Sequence, residues 1–355
     1  MSGPLAVRWA LVGTSDFAVE WIASAIERCS LAALSAVVDV DASRARAVAQ
    51  KLGAPAFGTS LDELVGSGID AVWLAVPNDQ HAALAIRAAQ LGFHVLVEKP
   101  MATSASDASA MISAAHNANV LLAVGHCMAW APPIERAIAL VAAGKIGRPL
   151  GAFVAAGFDS PPAGSWRQQL SAEDGGGPLL DLGSHAIDAL LRLLGPVSDV
   201  LCRLDRVRYD YPAEDTATLI LRFDSGAHGL VQTTFTMGQN DLVLQGTGGR
   251  LDSSEWMGRD FAGNLRWHSA VEGVGRFSSP ARKEAGVPIS LERRNVYDAQ
   301  VHDVCDAIRN GTETRISARA GAMTIAVIGA AVRSAREGRS VRVGDSDMHG
   351  ASRPL

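Results

Sequence analysis

Apolar and polar positions follow one rhythm in the first third of this chain and another beyond its middle. At first, short apolar runs alternate with stretches of helical period. Val7–Val12, Leu34–Val38, Ala71–Val76, Phe93–Val97 and Val120–Val124 read as strands. Helices are expected between them: about Asp16 to Arg28, Ser43 to near Gly53, Gln80 to Leu91, and Ser104 to Ala118. Asp79 is placed as N-cap of the third and Gly92 as its terminator. Runs that are apolar on both faces belong to buried parallel strands, and their alternation with helices predicts βαβ units.

Beyond about Gly147 the pattern changes. A Gly/Pro-rich stretch (160–178) precedes one strongly apolar helix, Leu179–Leu194. Alternating or β-branched runs follow at Ala217–Phe223, His228–Thr236 and Leu242–Gly246, and Asp224-Ser225-Gly226 reads as a hairpin turn. These predict an antiparallel sheet and hence an α+β region. Residues 255–288 show no period and are expected to be loops, and two helices, Tyr297–Asn310 and Ala318–Glu337, close the fold.

Composition narrows the function classes. The chain has 355 residues, enough for one or two domains with a full core. Hydrophobic residues at 48% and charged residues at 19% describe a globular protein, not a disordered one. A net charge of −5 argues against a nucleic-acid partner, which would need a basic face. Cys29, Cys127, Cys202 and Cys305 are far apart, so neither a zinc cluster nor a disulfide scaffold is expected. No run of about 18 apolar residues predicts a membrane span. Met1-Ser2-Gly3-Pro4 leads straight into a strand without a charged and apolar leader, so a cytoplasmic, reducing location is the expectation.

The first strand ends in Gly13-Thr14-Ser15-Asp16-Phe17-Ala18, a helix follows, and Asp39 closes the second strand. Strand, glycine turn, helix and a later acidic residue form the dinucleotide-binding arrangement. Ser15 replaces the second glycine and Ala18 the third, so the motif is degraded. The helix start would favour a diphosphate. Asp39 would accept from a ribose 2′-hydroxyl and repel a 2′-phosphate, which favours NAD over NADP. Arg44 leaves NADP open, as a nearby guanidinium can take a phosphate or stack on adenine.

Glu98-Lys99-Pro100 ends the fourth strand, where such sheets bind ligands. The pair is either a surface ion pair or a functional amine. The run Gly175-Gly176-Gly177-Pro178 opens the apolar helix, which carries Asp181 and His185 four residues apart, with Asp188 continuing that face. Histidine suits proton transfer near neutral pH, and a carboxylate one turn away can orient it. The same pair could hold a metal, but no third or fourth ligand stands at a diagnostic spacing, so no metal is assigned, with His126 and His81 open to recruitment in three dimensions.

The ordered set of the Gly13–Ala18 turn, Pro77-Asn78-Asp79-Gln80-His81, Glu98-Lys99-Pro100 and the Gly-Gly-Gly-to-His185 segment resembles the glucose–fructose oxidoreductase / inositol dehydrogenase (Gfo/Idh/MocA) family. Gly144-Lys145-Ile146-Gly147, Glu214-Asp215-Thr216-Ala217 and Ser334-Ala335-Arg336-Glu337-Gly338 extend the resemblance over nearly the whole chain. It implies an α/β fold: an N-terminal Rossmann dinucleotide-binding domain (1–126) and a C-terminal α+β substrate domain (127–355) with a large, mostly antiparallel open sheet. That sheet would form a homodimer or homotetramer interface, and the last helix is free to pack back on the first domain. The resemblance also implies that Lys99, Asp181 and His185 line the substrate pocket, that Pro77, Asn78 and His81 lie along the cofactor, and that Glu98 accepts near the nicotinamide ribose. His185 would take a substrate proton while Lys99 stabilises the alkoxide or relays the proton.

Many relatives carry Asn and Arg where this chain has Cys127 and Ala129. Losing the arginine makes a phosphorylated or acidic substrate less expected. His126 and Trp130, with Trp166 and Arg167 from the loop before the glycine run, are candidate substrate contacts, though Trp130 fits core packing equally well. The leading expectation is an NAD(P)-dependent oxidoreductase acting on a secondary alcohol of a sugar, polyol or cyclitol. The alternatives are a redox-neutral enzyme with tightly held NAD (glycoside cleavage or epimerisation) and a non-catalytic cofactor-binding protein.

Overall fold

The structure is a computed structural model that describes residues 6–160, 170–171, 175–270 and 286–344. By packing, the chain divides into two compact units: residues up to Cys127 with Tyr297–Ala326, and Met128–Val296 with Val327–Gly344.

The first unit is built on six parallel strands: β1 (Val7–Val12), β2 (Ala32–Val38), β3 (Ala56–Gly58), β4 (Ala71–Leu74), β5 (His94–Val97) and β6 (Leu122–Val124). Their order is β3-β2-β1-β4-β5-β6. The order reverses direction between β1 and β4, and ligands bind at such a switch point. The strands are apolar because both faces are covered: Trp9, Leu11, Trp73 and Leu96 are fully buried. The first helix begins at Asp16, passes through a π turn (Ala18–Ala23) and continues as α1 (Ser24–Arg28). The Asp41 side chain caps α2 (Ala42–Leu52), and Gly53 ends it at φ 67°. A 3-10 turn (Asn78–Gln80) leads into α3 (His81–Gln90), whose N-cap is Gln80 without a side-chain bond. Asp79 is therefore not the cap: the turn after Pro77 tightens the entry and carries Asp79 into it. Ser104 does cap α4 (Ala105–Asn117), accepting from the Asp107 N–H at 3.1 Å.

The second unit opens with α5 (Pro132–Ala142) and β7 (Pro149–Gly157). A π turn (Leu179–Gly183) runs into α6 (Ser184–Leu194). Then come β8 (Val197–Asp205), β9 (Thr216–Phe223), β10 (His228–Thr234), β11 (Gln239–Gly246), β12 (Gly249–Ser253), β13 (Asp260–Phe261), β14 (Arg266–Ser269), β15 (Val287–Pro288), β16 (Arg294–Asn295) and, near the end, β17 (Val341–Arg342). Among the described residues the large sheet runs β15-β14-β12-β11-β7-β10-β9-β8-β17, antiparallel throughout except for the β7/β10 pair. β14 and β15 correct the expectation of loops over 255–288. The Asp224–Gly226 turn joins β9 to β10, with Gly226 at φ 81°. Leu219, Leu221 and Val231 are fully buried on one face, while Ile220 and Leu230 are exposed on the other, as expected of an antiparallel sheet covered on one side. The last two helices are α7 (Val296–Asn310) and α8 (Ala318–Glu337).

Candidate active site

In the first unit the chemistry-bearing residues gather at the carboxyl edge of the parallel sheet. Gly13 follows β1 at φ 96°, and a Cβ there would stand 2.3 Å from the Ala75 carbonyl oxygen, so no side chain fits. Its N–H donates to Val38 at 2.8 Å, and the Ala75 N–H donates to Val12 at 2.8 Å, lacing together the ends of β2, β1 and β4. Ser15, in place of the second glycine, accepts from the Ala18 N–H at 3.2 Å through its hydroxyl, so it caps the helix that starts at Asp16. Asp16 is exposed in the first turn, Ala18 is fully buried, and Phe17 meets Tyr297 edge-on at 5.7 Å.

Asp39 is buried at the end of β2. One oxygen accepts from the Thr14 hydroxyl and, at 3.2 Å, the Thr14 N–H; the other accepts from the Asp41 N–H at 3.0 Å and from Arg44 at 2.8 Å. A carboxylate offers about four acceptor positions, and all are used here. Burial alone would raise its pKa, but the Thr14 and Asp41 hydrogen bonds and Arg44 outweigh burial and hold it below the usual carboxylate range. The Arg44 side chain is 60% exposed, so it can leave Asp39 for a ribose hydroxyl at small cost. The turn closed on Gly13, the capped helix start and the buried carboxylate all fit a dinucleotide.

Pro77 precedes the 3-10 turn, and Asn78 is buried within it. His81 is fully buried, with Nδ1 2.7 Å from the Pro100 carbonyl and Nε2 3.1 Å from that of Val76. Burial lowers its pKa, so the ring is neutral and donates from one nitrogen, which the shorter contact assigns to Nδ1. His81 thus braces the loops after β4 and β5. Glu98, also buried, accepts from the Trp73 indole N–H at 3.2 Å and packs on Gly125, where a Cβ would be 3.0 Å from its Oε1. Lys99 is half-buried just beyond β5, and His126 is buried just beyond β6.

In the second unit, Asp181 lies half-buried in the π turn and His185 buried at the start of α6. A π turn holds an extra residue, so the pair is related through the bulge and not by plain α-helical spacing. Asp188, further along the same helix, binds Arg192 through both its oxygens, at 2.8 and 3.0 Å. The glycine lead-in rests on Glu214, a residue that sequence reasoning gave no role. Its Oε1 accepts from the Leu179 N–H at 3.0 Å, and a Cβ on Gly177 (φ 85°) would be 2.3 Å from that oxygen. Burial pushes the Glu214 carboxyl up to about 7, the Leu179 and its own N–H oppose the shift, and the Asp215 charge adds to it. Adjacent acidic residues entering a strand were the available signal. Trp130 is buried in the second unit, while Trp166 and Arg167 lie outside the described residues. Among the described residues, no group of three or more His, Cys, Asp or Glu is placed to hold a metal.

Residues 7–126 match the oxidoreductase family with an NAD-binding Rossmann fold, and residues 134–252 match the GFO/IDH/MocA C-terminal domain. The chain is 29% identical over 342 residues to 1,5-anhydro-D-fructose reductase of Ensifer adhaerens, covering 95% of this chain and 98% of that protein. It is 27% identical over 338 residues to D-xylose 1-dehydrogenase (NADP(+)) 2 of Haloferax volcanii, covering 94% and 98%. The crystal structure of aldose-aldose oxidoreductase from Caulobacter crescentus, complexed with glycerol, shares the fold with a TM-score of 0.85 at 24% identity, covering 95% and 99%. With both matched segments seated on the two sheets described above, the chain belongs to the Gfo/Idh/MocA family of NAD(P)-dependent oxidoreductases.

Proposed function

We propose that this oxidoreductase transfers hydride between NAD and a secondary alcohol or ketone of a sugar, polyol or cyclitol. The observation that carries the reading is Lys99, an amine held half-buried at the carboxyl end of β5, in the unit and at the sheet edge that carry the Gly13 turn and Asp39. The sugar-converting names of the Ensifer and Haloferax relatives point the same way.

When bound, the nicotinamide supplies the hydride acceptor or donor. The Gly13–Ala18 turn would seat the diphosphate against the start of the helix that it opens, and Asp39 would hold the adenosine ribose. Pro77 and Asn78 would line the cofactor, with His81 bracing their loop and Glu98 near the nicotinamide ribose. In oxidation His185 takes the proton from the substrate hydroxyl, Asp181 steadies the resulting imidazolium, and Lys99 stabilises negative charge on the oxygen. Reduction reverses these transfers. The Asp39 carboxylate favours NAD over NADP, with Arg44 the residue able to accept a 2′-phosphate. Cys127 and Ala129 favour an uncharged substrate, with His126, Trp130, Trp166 and Arg167 as its contacts.

The open sheet face supports a homo-oligomer. Leu201, Ile220, Leu230, Phe153 and Val243 are successive cross-strand partners over β8, β9, β10, β7 and β11, and the first three are exposed. No helix among the described residues is long and apolar enough to cross a membrane, and the four cysteines are free thiols, which supports a reducing cytoplasm. The test is a panel of sugars, polyols and cyclitols with NAD, and of the matching ketones with NADH, followed by nicotinamide absorbance. Turnover confined to substrates outside these classes would contradict the proposal.

A further inference from the structure

We propose that Glu214 is a positioning residue: its carboxylate grips the glycine lead-in of the helix that carries Asp181 and His185, and so sets where those two groups stand. The catalytic consequence rests on the function proposed above; the grip itself does not.

The geometry is a short relay. Glu214 is buried, and its Oε1 accepts the Leu179 N–H at 3.0 Å, one of the N–H groups a helix start leaves without an intrahelical partner. Gly177 lies so close over the carboxyl that a Cβ would stand 2.3 Å from Oε1. The Gly177 carbonyl in turn accepts from the Asp181 N–H at 3.2 Å. Any shift of the carboxylate is therefore passed through Gly177 to Asp181 and on to His185 in the following turn. The anchor is firm because Asp215, fully buried beside it, accepts from the Val207, Arg208 and Tyr209 N–H groups at 2.9, 2.7 and 2.7 Å. One acidic pair at the entry of β9 thus fixes two backbone turns.

This grip depends on charge, since an ionised acceptor binds an N–H about twice as strongly as a neutral one. Glu214 changes charge at about 7. The Asp215 charge beside it disfavours its ionisation, and the ionised carboxylate in turn helps to push up the Cys202 thiol on β8. The ionised form holds the lead-in, and the protonated form relaxes it.

Glu214→Gln keeps a carbonyl acceptor for Leu179 but cannot titrate. In the NAD-bound protein labelled with [15N]leucine, the Leu179 amide resonance should shift with a midpoint near pH 7 in the parent chain and stay put in Glu214→Gln. With a turned-over substrate, the ratio of kcat at about pH 8 to that at about pH 6 should fall severalfold in Glu214→Gln, towards what His185 alone imposes, while NADH affinity stays unchanged. A Leu179 signal that does not titrate, or that titrates alike in both proteins, would overturn the grip. A titrating signal with an identical kcat profile in both would overturn the positioning of His185. Absence of turnover on every sugar, with the titration present, would instead count against the proposed function and leave the grip supported.

Discussion

At the scale of single residues, Asp39 hides a negative charge almost completely, and four donors from Thr14, Asp41 and Arg44 make this tolerable. A ribose hydroxyl must displace one of them, and the exposed Arg44 is the easiest to move. Asp39→Ala should weaken NADH binding by about 10- to 100-fold, the 1.5–3 kcal/mol of a hydrogen bond to a charged group. The same change should narrow the preference for NADH over NADPH, and fluorescence titration with both nucleotides reads it; unchanged affinity would show that Asp39 does not meet the ribose. Glu214 is the opposite case, a carboxyl whose proton the fold retains. Its pKa rises from 4.5 to about 7, so between these values the folded state holds a proton that the unfolded chain has released. This contribution to stability is full below about pH 4.5 and is lost as pH rises through about 7, roughly 3 kcal/mol in total. Urea unfolding at about pH 5 and pH 8 should show that loss in the parent chain and not in Glu214→Gln. The charge that grips Leu179 best is thus the one the fold can least well bury.

At the scale of elements, both helices proposed to serve the chemistry pass through a π turn near their start, at Ala18–Ala23 and at Leu179–Gly183. Each follows a glycine turn with no room for a side chain. Gly13→Ala combines a positive φ with a Cβ 2.3 Å from a carbonyl oxygen and should cost about 2 kcal/mol or more. Gly53→Ala has a similar φ but nothing within 4 Å, and should cost only about 1 kcal/mol. Thermal unfolding of the two variants measures the contrast, and NADH binding should fail only in the first. Five of the six parallel strands were legible because strands buried on both faces are written as apolar runs, and α8 was readable to its last residue; β3 was not, because it is three residues long with Phe57 exposed. β7 was not, because its sequence, Pro149–Gly157, carries glycine and alanine where a strand signal needs β-branched or aromatic residues. The π turns left no mark, since their residues keep a helical period. Contacts such as Trp73 with Glu98, or Leu179 with Glu214, join residues far apart in sequence, so only the fold reveals them.

At the scale of the whole molecule, the exposed row Leu201–Ile220–Leu230 across neighbouring strands is what a second copy of the sheet would cover. Ile220→Asp should convert a dimer or tetramer to monomer in light-scattering chromatography while leaving NADH binding intact; a parent chain that is already monomeric would refute the interface. In the proposed chemistry, Lys99 and His185 handle the proton of a sugar-like hydroxyl beside bound NAD. Its most direct test is nicotinamide absorbance on the best substrate of the panel, compared among the parent chain, Lys99→Ala and His185→Ala, with NADH binding checked for each by fluorescence. The prediction is that both variants bind NADH like the parent and lose at least about 100-fold in kcat. Full activity in both variants would contradict the account.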